Sequence, residues 1–386
     1  MKPAAAPALV DSGAAWDAAA AEIAASPALA IDIEGDGFHR YPERVALIQV
    51  GLTDGTVHLL DPLALGDLSA VGAALADPAV PKVLHSAAYD VRCLDRDFGF
   101  AVRGLFDTAI AAQFCGSRRT GLMNVLAEIL DIAVDKPKQL QRMDWSIRPL
   151  PPTALAYAVA DVAHLLALRA ALVERLTGFG RLGWVAEECR RLEQVRYTPP
   201  DPPEVAFMAL RGARDLSDAG RAILRELFLW RDATAQRVGR PPHHVLSNDT
   251  LLLLADNPDA PLHRLRGVDR RVLERHRDRL AEAIRRGVAA APVPWPRRGG
   301  VNPWTPEARE RLARLKAWRN AEAEALDLDP GVVWPAPHLE QVALQPGQPS
   351  AALDGGEPPW VRAWQWEALG PSLAGFRVEA LRDAAA

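Results

Sequence analysis

The chain has 386 residues, of which 49% are apolar and 24% are charged, and its formal net charge is −4. This length predicts two or three domains with well-filled cores, and the slight acidity excludes binding of nucleic acid through overall charge. Three scattered cysteines, Cys93, Cys115 and Cys189, exclude a disulfide framework and indicate a reducing compartment.

The sequence lacks the patterns that direct proteins into or across membranes. Residues 1–15 contain one lysine and no long apolar run, so we expect no signal peptide. No segment reaches the roughly 18 apolar residues of a membrane span. We therefore expect a cytoplasmic protein without a membrane partner.

The first half of the chain combines strand and helix patterns. Apolar runs of strand length predict strands, and 3.6-residue periodicity predicts helices. The predicted strands cover residues 28–34, 44–51, 57–60 and 82–85. The predicted helices cover residues 89–98, 108–114, 121–130 and 153–176. Strands that come first and then alternate with helices indicate an α/β domain on a mixed sheet flanked by helices.

Two proline-rich segments, 197–203 and 291–300, divide the chain. They predict domains at 1–196, 205–290 and 301–386, with few contacts across the first linker. The pattern after the first linker is strongly helical.

The two C-terminal domains share a short repeat. Residues 227–235 and 315–323 both read Leu-x-x-Trp-Arg-x-Ala-x-Ala, and each copy is followed by a proline and then by a leucine-bearing helix start. This spacing predicts two copies of one small helical module. Coincidence stays open as the alternative, because alanine and arginine are common in this chain.

Two acids lie in an apolar strand-like run, 29–34, which reads Leu-Ala-Ile-Asp-Ile-Glu. Alternate strand residues share a face, so Asp32 and Glu34 point the same way. Two carboxylates on one buried face repel each other, and a divalent cation with oxygen ligands relieves the repulsion. The alternative is a strand end with two solvated acids.

Three downstream residues extend this pattern. Asp90 begins the helix after the fourth predicted strand, at the sheet edge where ligands gather in α/β folds. Tyr157 and Asp161 are four residues apart in an apolar helix and therefore share a face. An acid among alanine, valine and leucine needs a partner, unless it lies on the exposed face of an amphipathic helix.

In chain order, Asp32-x-Glu34, Asp90 and Tyr157-x-x-x-Asp161 resemble the DEDDy class of 3′-to-5′ exonucleases, and the flanking segments resemble the ribonuclease D family. Those segments read Arg-Val-Ala-Leu-Ile-Gln at 44–49, Leu-Phe-Asp-Thr at 105–108 and Asp-Trp-Ser-Ile-Arg-Pro-Leu at 144–150. The resemblance covers residues 28–176. It implies a ribonuclease H-like exonuclease domain, a monomer, and a substrate RNA with a free 3′ end.

The resemblance also implies the chemistry. Asp32, Glu34, Asp90 and Asp161 would hold two divalent cations, Mg²⁺ or Mn²⁺, and Tyr157 would orient or deprotonate the attacking water. Nucleoside 5′-monophosphates would be released one at a time, with tRNA precursors as the expected substrates. A DNA 3′-exonuclease stays an alternative, because the same acids serve DNA. A non-catalytic RNA-binding protein is the alternative from another class.

One segment departs from the family pattern. In the ribonuclease D family an aromatic residue often directly follows the second acid, whereas in this chain Gly35-Asp36-Gly37 stands between Glu34 and Phe38. We therefore expect a different loop beside the scissile bond, and we expect Asp36 not to bind metal.

Gln49, His85 and Trp145 are further candidate substrate contacts. For His85, contact with the terminal nucleotide and a structural hydrogen bond both stay open. For Trp145, stacking on a base competes with burial in the core, and burial is favoured.

Residues 208–290 resemble an HRDC domain, the helical module appended to ribonuclease D enzymes and RecQ helicases. Residues 301–386 resemble it more weakly, so the resemblance implies two all-α HRDC-like modules. The tract 264–286 holds nine arginines against four acids, which predicts contact with phosphates. A helix with internal ion pairs is the alternative. The candidate contacts in these modules are Arg231, Arg270 and Arg271.

Overall fold

The computed structural model of the chain describes residues 8–134, 137, 139–261, 270–296, 303–344 and 361–383. Within these ranges, the side chains of residues 270–273 and 374–383 are not described. The predicted contacts of Arg270 and Arg271 therefore lie outside the described side chains.

A six-stranded mixed sheet forms the centre of the first domain. Its strands are β1 (Leu9–Val10), β2 (Leu29–Gly35), β3 (Val45–Gly51), β4 (Val57–Leu60), β5 (Lys82–Leu84) and β6 (Leu105–Asp107). The spatial order is β1-β4-β3-β2-β5-β6. β3 runs antiparallel to β2 and β4, and the other neighbours are parallel. The predicted mixed sheet is confirmed; β1 and β6 are too short to produce a pattern in the sequence.

The central strands are buried except where the acids lie. All seven residues of β3 are buried. In β2 only Asp32, Glu34 and Gly35 are partly exposed. Helices cover the sheet, which explains the continuous apolar runs in both strands. The two acids therefore interrupt an otherwise apolar strand at its exposed end.

The helices of the first domain largely follow the predictions. They are α1 (Gly13–Ala25), α2 (Ser69–Ala76), α3 (Ala88–Phe98), α4 (Thr108–Phe114), α5 (Leu122–Leu130), α6 (Pro152–Val162), α7 (Leu165–Gly178) and α8 (Leu182–Leu192). The prediction of one helix over 153–176 is wrong, because the chain breaks at Ala163 and His164. α6 packs on β2, β3 and β4, whereas α7 packs on α4 and α5. Both helices keep an apolar face, so the periodicity hides the break.

By length and composition alone, one helical stretch of the described residues, Pro152–Gly178, could cross a membrane. The core helices of globular domains meet the same criterion. Leu165, Leu168 and Leu172 of this stretch are buried in the core of the first domain.

The first helical module has its own apolar core. Its helices are α9 (Pro203–Ala206), α10 (Asp218–Val238), α11 (Pro242–Val245), α12 (Asn248–Asp256) and α13 (Arg270–Ala289). Ser217 caps α10 by accepting the Gly220 amide, and Gly239, with φ of 64°, ends that helix. Leu227, Leu251 and Leu280 are fully buried between the helices.

The second helical module repeats the first. Its helices are α14 (Pro306–Ala325), α15 (Pro330–Val333), α16 (Ala336–Leu344) and α17 (Ala363–Asp383). α14, α15 and α16 have 20, 4 and 9 residues, and α10, α11 and α12 have 21, 4 and 9. Arg231 donates to the Leu246 carbonyl, and Arg319 donates to the Trp334 carbonyl at the matching position. The predicted repeat is confirmed, and the limits of the three domains stay predictions.

The second module packs directly on the first domain. Trp364 is 2% exposed and stacks on Trp184 with a centroid distance of 4.9 Å. Phe114 meets Trp364 edge-on at 5.1 Å, and Arg362 lies 2.9 Å from the Glu188 carboxylate. The expectation that few contacts cross the first linker is therefore wrong for this module. The cause is an apolar face formed by α4 and α8, which the second module buries.

Candidate active site

Three carboxylates converge at the end of β2. One oxygen each from Asp32, Glu34 and Asp161 lies within 4.8 Å of the others. Asp32 and Glu34 share a face of the strand, and α6 packs over that face and brings Asp161 to them. Asp161 is only 4% exposed.

An anchor outside the cleft holds the segment before α6. Arg148 binds the buried carboxylate of Asp61 through two hydrogen bonds of 2.6 and 2.7 Å. It also donates to the Ala46 carbonyl of β3 over 2.8 Å. A bidentate guanidinium–carboxylate pair fixes geometry as well as contributing energy. Asp61 was missed from the sequence, because a lone acid after a strand reads as a turn residue.

Asp90 lines the same cleft but is not one of the three acids in the closest group. It lies in the first turn of α3 and is 6% exposed. Burial raises the pKa of this carboxyl well above its usual range, and the charges of Asp32 and Asp107 raise it further. Asp90 therefore lies close enough to Asp32, one of the three clustered acids, for their charges to interact.

Asp107 holds the turn that leads to Asp90. Its carboxylate accepts the amides of Ser86 and Ala87 at 3.0 and 2.8 Å, and it caps α4 through the Ala109 amide at 2.8 Å. Ser86 has a left-handed backbone with φ of 62°, and these hydrogen bonds stabilise it. The Leu-Phe-Asp-Thr segment thus positions the acid of the neighbouring loop.

Tyr157 is 8% exposed and faces the cleft from α6. Burial raises the pKa of its hydroxyl, and the charges of Glu34 and Asp32 raise it further, although a hydrogen bond with Gln141 lowers it. The hydroxyl therefore keeps its proton at neutral pH and acts as a hydrogen-bonding group.

The structure corrects the predicted contact of Gln49 and confirms the favoured burial of Trp145. Trp145 is 1% exposed and packs against Tyr157 with a centroid distance of 5.9 Å, so it cannot stack on a base. Gln49 is completely buried, directly opposite Asp32 in the β2–β3 register. Both side chains lie behind the cleft wall and support the residues that form it.

Arg231 is also corrected. It is 5% exposed, and it donates to Asn248 at 2.7 Å and to the Leu246 carbonyl at 3.1 Å inside the first module. Burial lowers the pKa of its guanidinium to about 10. It joins α10 to the start of α12, and a phosphate has no access to it.

Asp36 holds the loop after Glu34 together. Asp36 is completely buried and accepts the Arg44 amide at 2.7 Å, so it closes the loop and does not face the cleft. Gly35 lets this loop pass close to α3, because an added Cβ would lie 2.4 Å from the Tyr89 hydroxyl oxygen. Phe38 is 56% exposed in the cleft wall.

The carboxylates open into a cleft of about 1130 Å³. His85 lies in its wall, half-buried, with Nδ1 2.8 Å from the Thr108 hydroxyl. The rest of the wall comes from the loop after Glu34, from α3, and from the linker and α11. The cationic and aromatic side chains there are Phe38, Arg40, Tyr41, Tyr89, Arg92, Arg96, Tyr197 and His243. The sequence did not reveal most of this wall, because distant segments form it.

Comparisons with known proteins agree with this arrangement. Residues 7–177 match the family described as 3′-5′ exonuclease, and residues 220–284 match the HRDC domain. The ribonuclease D of Gluconacetobacter diazotrophicus is 34% identical over 340 residues, which cover 85% of this chain and 84% of that protein. The ribonuclease D of Pseudomonas paraeruginosa is 32% identical over 352 residues, which cover 90% and 91%.

The crystal structure of Escherichia coli RNase D has the same fold. It aligns with a TM-score of 0.69 at 24% identity, over 96% of this chain and 98% of that chain. The expected α/β exonuclease domain followed by helical modules is thus confirmed.

The mixed sheet, the carboxylate cleft and the matched segments together define a hydrolase with a 3′-5′ exonuclease domain and an HRDC domain. The chain belongs to the ribonuclease D family of 3′-5′ exoribonucleases. The resemblance inferred from its motifs is confirmed.

Proposed function

We propose that this exoribonuclease releases nucleoside 5′-monophosphates one at a time with two divalent cations, held by Asp32, Glu34, Asp90 and Asp161. The carboxylate cluster in the wall of an open cleft carries this proposal. Like charges at such short separations need a counterion, and metal-assisted hydrolysis of phosphodiesters uses carboxylates in this way.

The donor set fits Mg²⁺ or Mn²⁺. All the proposed ligand atoms are carboxylate oxygens, and hard oxygen ligands suit these ions better than softer metals. When bound, the ions would lower the pKa of a coordinated water and offset charge on the leaving 3′-oxygen.

Tyr157 is proposed to orient the attacking water. Its raised pKa argues against a role as the base, because the proton stays on the hydroxyl at neutral pH. The hydroxyl can still donate one hydrogen bond and accept others. Trp145 packs against the ring and Gln141 binds the hydroxyl, which together hold it in place.

The proposed natural substrates are structured RNAs with a free 3′ end, tRNA precursors among them, as the family resemblance implies. One exposed face of the first module supports a grip on the phosphate backbone. Burial lowers the pKa of His276, and the nearby charges of Arg237, Arg279 and Arg275 lower it further. Three guanidinium groups therefore gather around one imidazole and form a local positive face, although the chain is acidic overall.

We also propose that the enzyme acts as a cytoplasmic monomer. Its three cysteines are all free, which fits a reducing compartment. All the acids of the cleft come from one copy of the chain.

The test is cleavage of a 3′-tailed RNA by the purified protein, with and without EDTA. We expect stepwise shortening from the 3′ end that EDTA stops and added Mg²⁺ or Mn²⁺ restores. Asp161→Asn should abolish cleavage while circular dichroism stays unchanged, because the change removes a metal ligand and relieves repulsion. Asp54→Asn, in an exposed turn, is the matched control. Cleavage that persists in Asp161→Asn would contradict the assignment.

A further inference from the structure

The arginines in the cleft wall differ in how their charges are compensated. Among the described residues that line the cleft, they are Arg40, Arg92 and Arg96. Arg40 pairs with Asp144 at 2.9 Å, and Arg96 pairs with Glu43 at 2.8 Å. The guanidinium of Arg92 makes no ion pair or hydrogen bond with another described residue, and Arg92 is exposed. Its five N–H donors are therefore open to a ligand in the cleft.

Tyr89 supports this guanidinium from below. The Arg92 guanidinium carbon lies over the Tyr89 ring, 5.6 Å from its centre, because the two residues are three apart on α3. The Tyr89 hydroxyl donates to Glu43, and the loop at Gly35 passes close to the same oxygen, so the ring is held in place. A guanidinium stacked in this way keeps its donors at its edge and loses little freedom when it binds.

The position of Arg92 relative to Asp90 indicates which part of the RNA it meets. The two residues are separated by about 3 Å along the axis of α3. Asp90 is 6% exposed whereas Arg92 is exposed, and residues two apart on a helix do not face each other. The guanidinium therefore lies to one side of the carboxylates, beside the place where the function proposed above puts the scissile phosphodiester.

A phosphate is the anion that RNA offers at every nucleotide, and arginine matches its oxygens in a planar, bidentate way. Beyond the scissile phosphate there is only the terminal nucleoside, so every other phosphate lies on the 5′ side. The nearest of them is the phosphodiester next to the scissile one.

We propose that the guanidinium of Arg92 binds the phosphodiester next to the scissile one on its 5′ side and so fixes the register of the strand in the cleft. The proposal rests on the function proposed above, in which the 3′ end of the RNA lies at the carboxylates. Contacts with phosphates position a strand without reading its sequence, so this one serves any RNA 3′ end.

The test uses a short single-stranded RNA in which an uncharged methylphosphonate replaces one phosphodiester. The uncharged linkage lies next to the scissile one, or one or two linkages further upstream. The measured quantity is kcat/KM for removal of the 3′-terminal nucleotide at saturating Mg²⁺. At the first position the uncharged linkage should slow the wild-type protein by about tenfold, the lower end of the range of a hydrogen bond to a charged group, because the guanidinium is exposed.

Arg92→Gln should slow cleavage of the unmodified RNA by a similar factor, and the uncharged linkage at the first position should then slow this variant no further. This loss of additivity measures the coupling between the two groups. Arg92→Lys keeps the charge but not the planar stack on Tyr89, and it should restore part of the rate. Arg190→Gln is the matched control, because Arg190 is exposed on α8 and does not line the cleft.

The outcomes separate the two proposals. If Arg92→Gln and the uncharged linkage slowed cleavage independently at every position, or if Arg92→Gln had no effect, the contact would be overturned. Equal coupling at all three positions would mean that Arg92 attracts RNA through charge alone, and coupling only further upstream would place it on another phosphate; both results also overturn the proposal. A wild-type protein that does not shorten the unmodified RNA with metal would instead contradict the proposed function.

Discussion

The chemistry of Tyr157 follows from its surroundings more than from its residue type. The tyrosine lies beside carboxylates and is buried against Trp145, and both conditions keep the proton on its oxygen. Asp90 shows the same effect, because burial and a neighbouring carboxylate raise its pKa. Charges in this cleft are therefore costly, and a cation is the natural compensation.

Tyr157→Phe should lower turnover by roughly 10²–10⁴-fold, the range of a positioned acid–base group. The ring and its packing stay, and only the hydroxyl that orients the water is removed. Cleavage rates at saturating RNA and Mg²⁺ or Mn²⁺ binding by calorimetry should be measured together. Metal affinity should change little, since a neutral phenol contributes no ligand charge. A collapse of metal affinity would make Tyr157 a structural support of the carboxylates.

Lys82 is a buried cation at the start of β5, and it should make stability depend on pH. Its ammonium donates to the Asp77 carbonyl oxygen, and burial lowers its pKa to about 8 from the usual 10.5. Between these values the unfolded chain holds a proton that the folded chain has released, so this residue makes stability rise with pH. Below pH 8 the folded state bears the full cost of the buried charge.

Lys82→Met should therefore stabilise the protein at pH 7, and this advantage should shrink as the pH rises from 8 to 10. Denaturant unfolding of both proteins across this range measures it. Groups that titrate in both proteins cancel when the two free energies of unfolding are subtracted. Lys316→Met, at an exposed position, is the control and should show no such trend. If the difference in free energy of unfolding between wild type and Lys82→Met stayed constant over this pH range, the pKa of Lys82 would be the same in the folded and unfolded chains.

At the scale of elements, the first module depends on a close approach of α10 and α13. A Cβ added at Gly287 would lie 2.5 Å from the Ile223 Cα, a backbone atom that cannot move aside. Gly287→Ala should therefore push the two helices apart, and overpacking of this kind costs roughly 1–3 kcal/mol. Hydrogen exchange of the α10 and α13 amides measures the loss of stability locally.

Gly183 in α8 is the matched control for that substitution. A Cβ there meets nothing within 4 Å, so Gly183→Ala should stabilise its helix by roughly 0.5–1 kcal/mol. Cleavage of a short single strand should be unchanged by Gly287→Ala, because the metal-binding acids lie in the first domain. Unchanged exchange in α10 and α13 would mean that the helices can slide without loss of stability.

Elements with a strong local pattern were predictable, and their tertiary contacts were not. β2 and β3 are continuous apolar runs, and the two acids of β2 interrupt this pattern. The two strands, and the face that the two acids share, could therefore be predicted from the sequence. The break between α6 and α7 was hidden because both helices are apolar on one side. Arg231 looked like a substrate contact because cationic residues suit phosphates, yet only the fold shows that it is buried.

At the scale of the whole molecule, the two helical modules lie at different places and have different roles. The second module covers the apolar face around Phe114 and Trp184, away from the carboxylates. The first module borders the cleft, where Tyr41 of the loop after Glu34 donates to Asp232 over 2.6 Å and His243 lines the wall. RNA that enters the cleft therefore passes the first module, which supports a direct role for it in binding.

The positive face of the first module should determine how RNA binding depends on salt. Among the described residues, Arg237, Arg275 and Arg279 are exposed and form no ion pair, whereas Arg285 and Arg286 pair with Glu282 and Glu226. Changing the first three to Gln should flatten the slope of log affinity against log salt by roughly 0.7–0.9 for each phosphate that the protein no longer neutralises. The double variant Arg285→Gln, Arg286→Gln is the matched control, and its slope should change less because its charges are already compensated. RNA affinities at four or more salt concentrations decide this, and equal slopes for all three proteins would assign the first module to a protein partner.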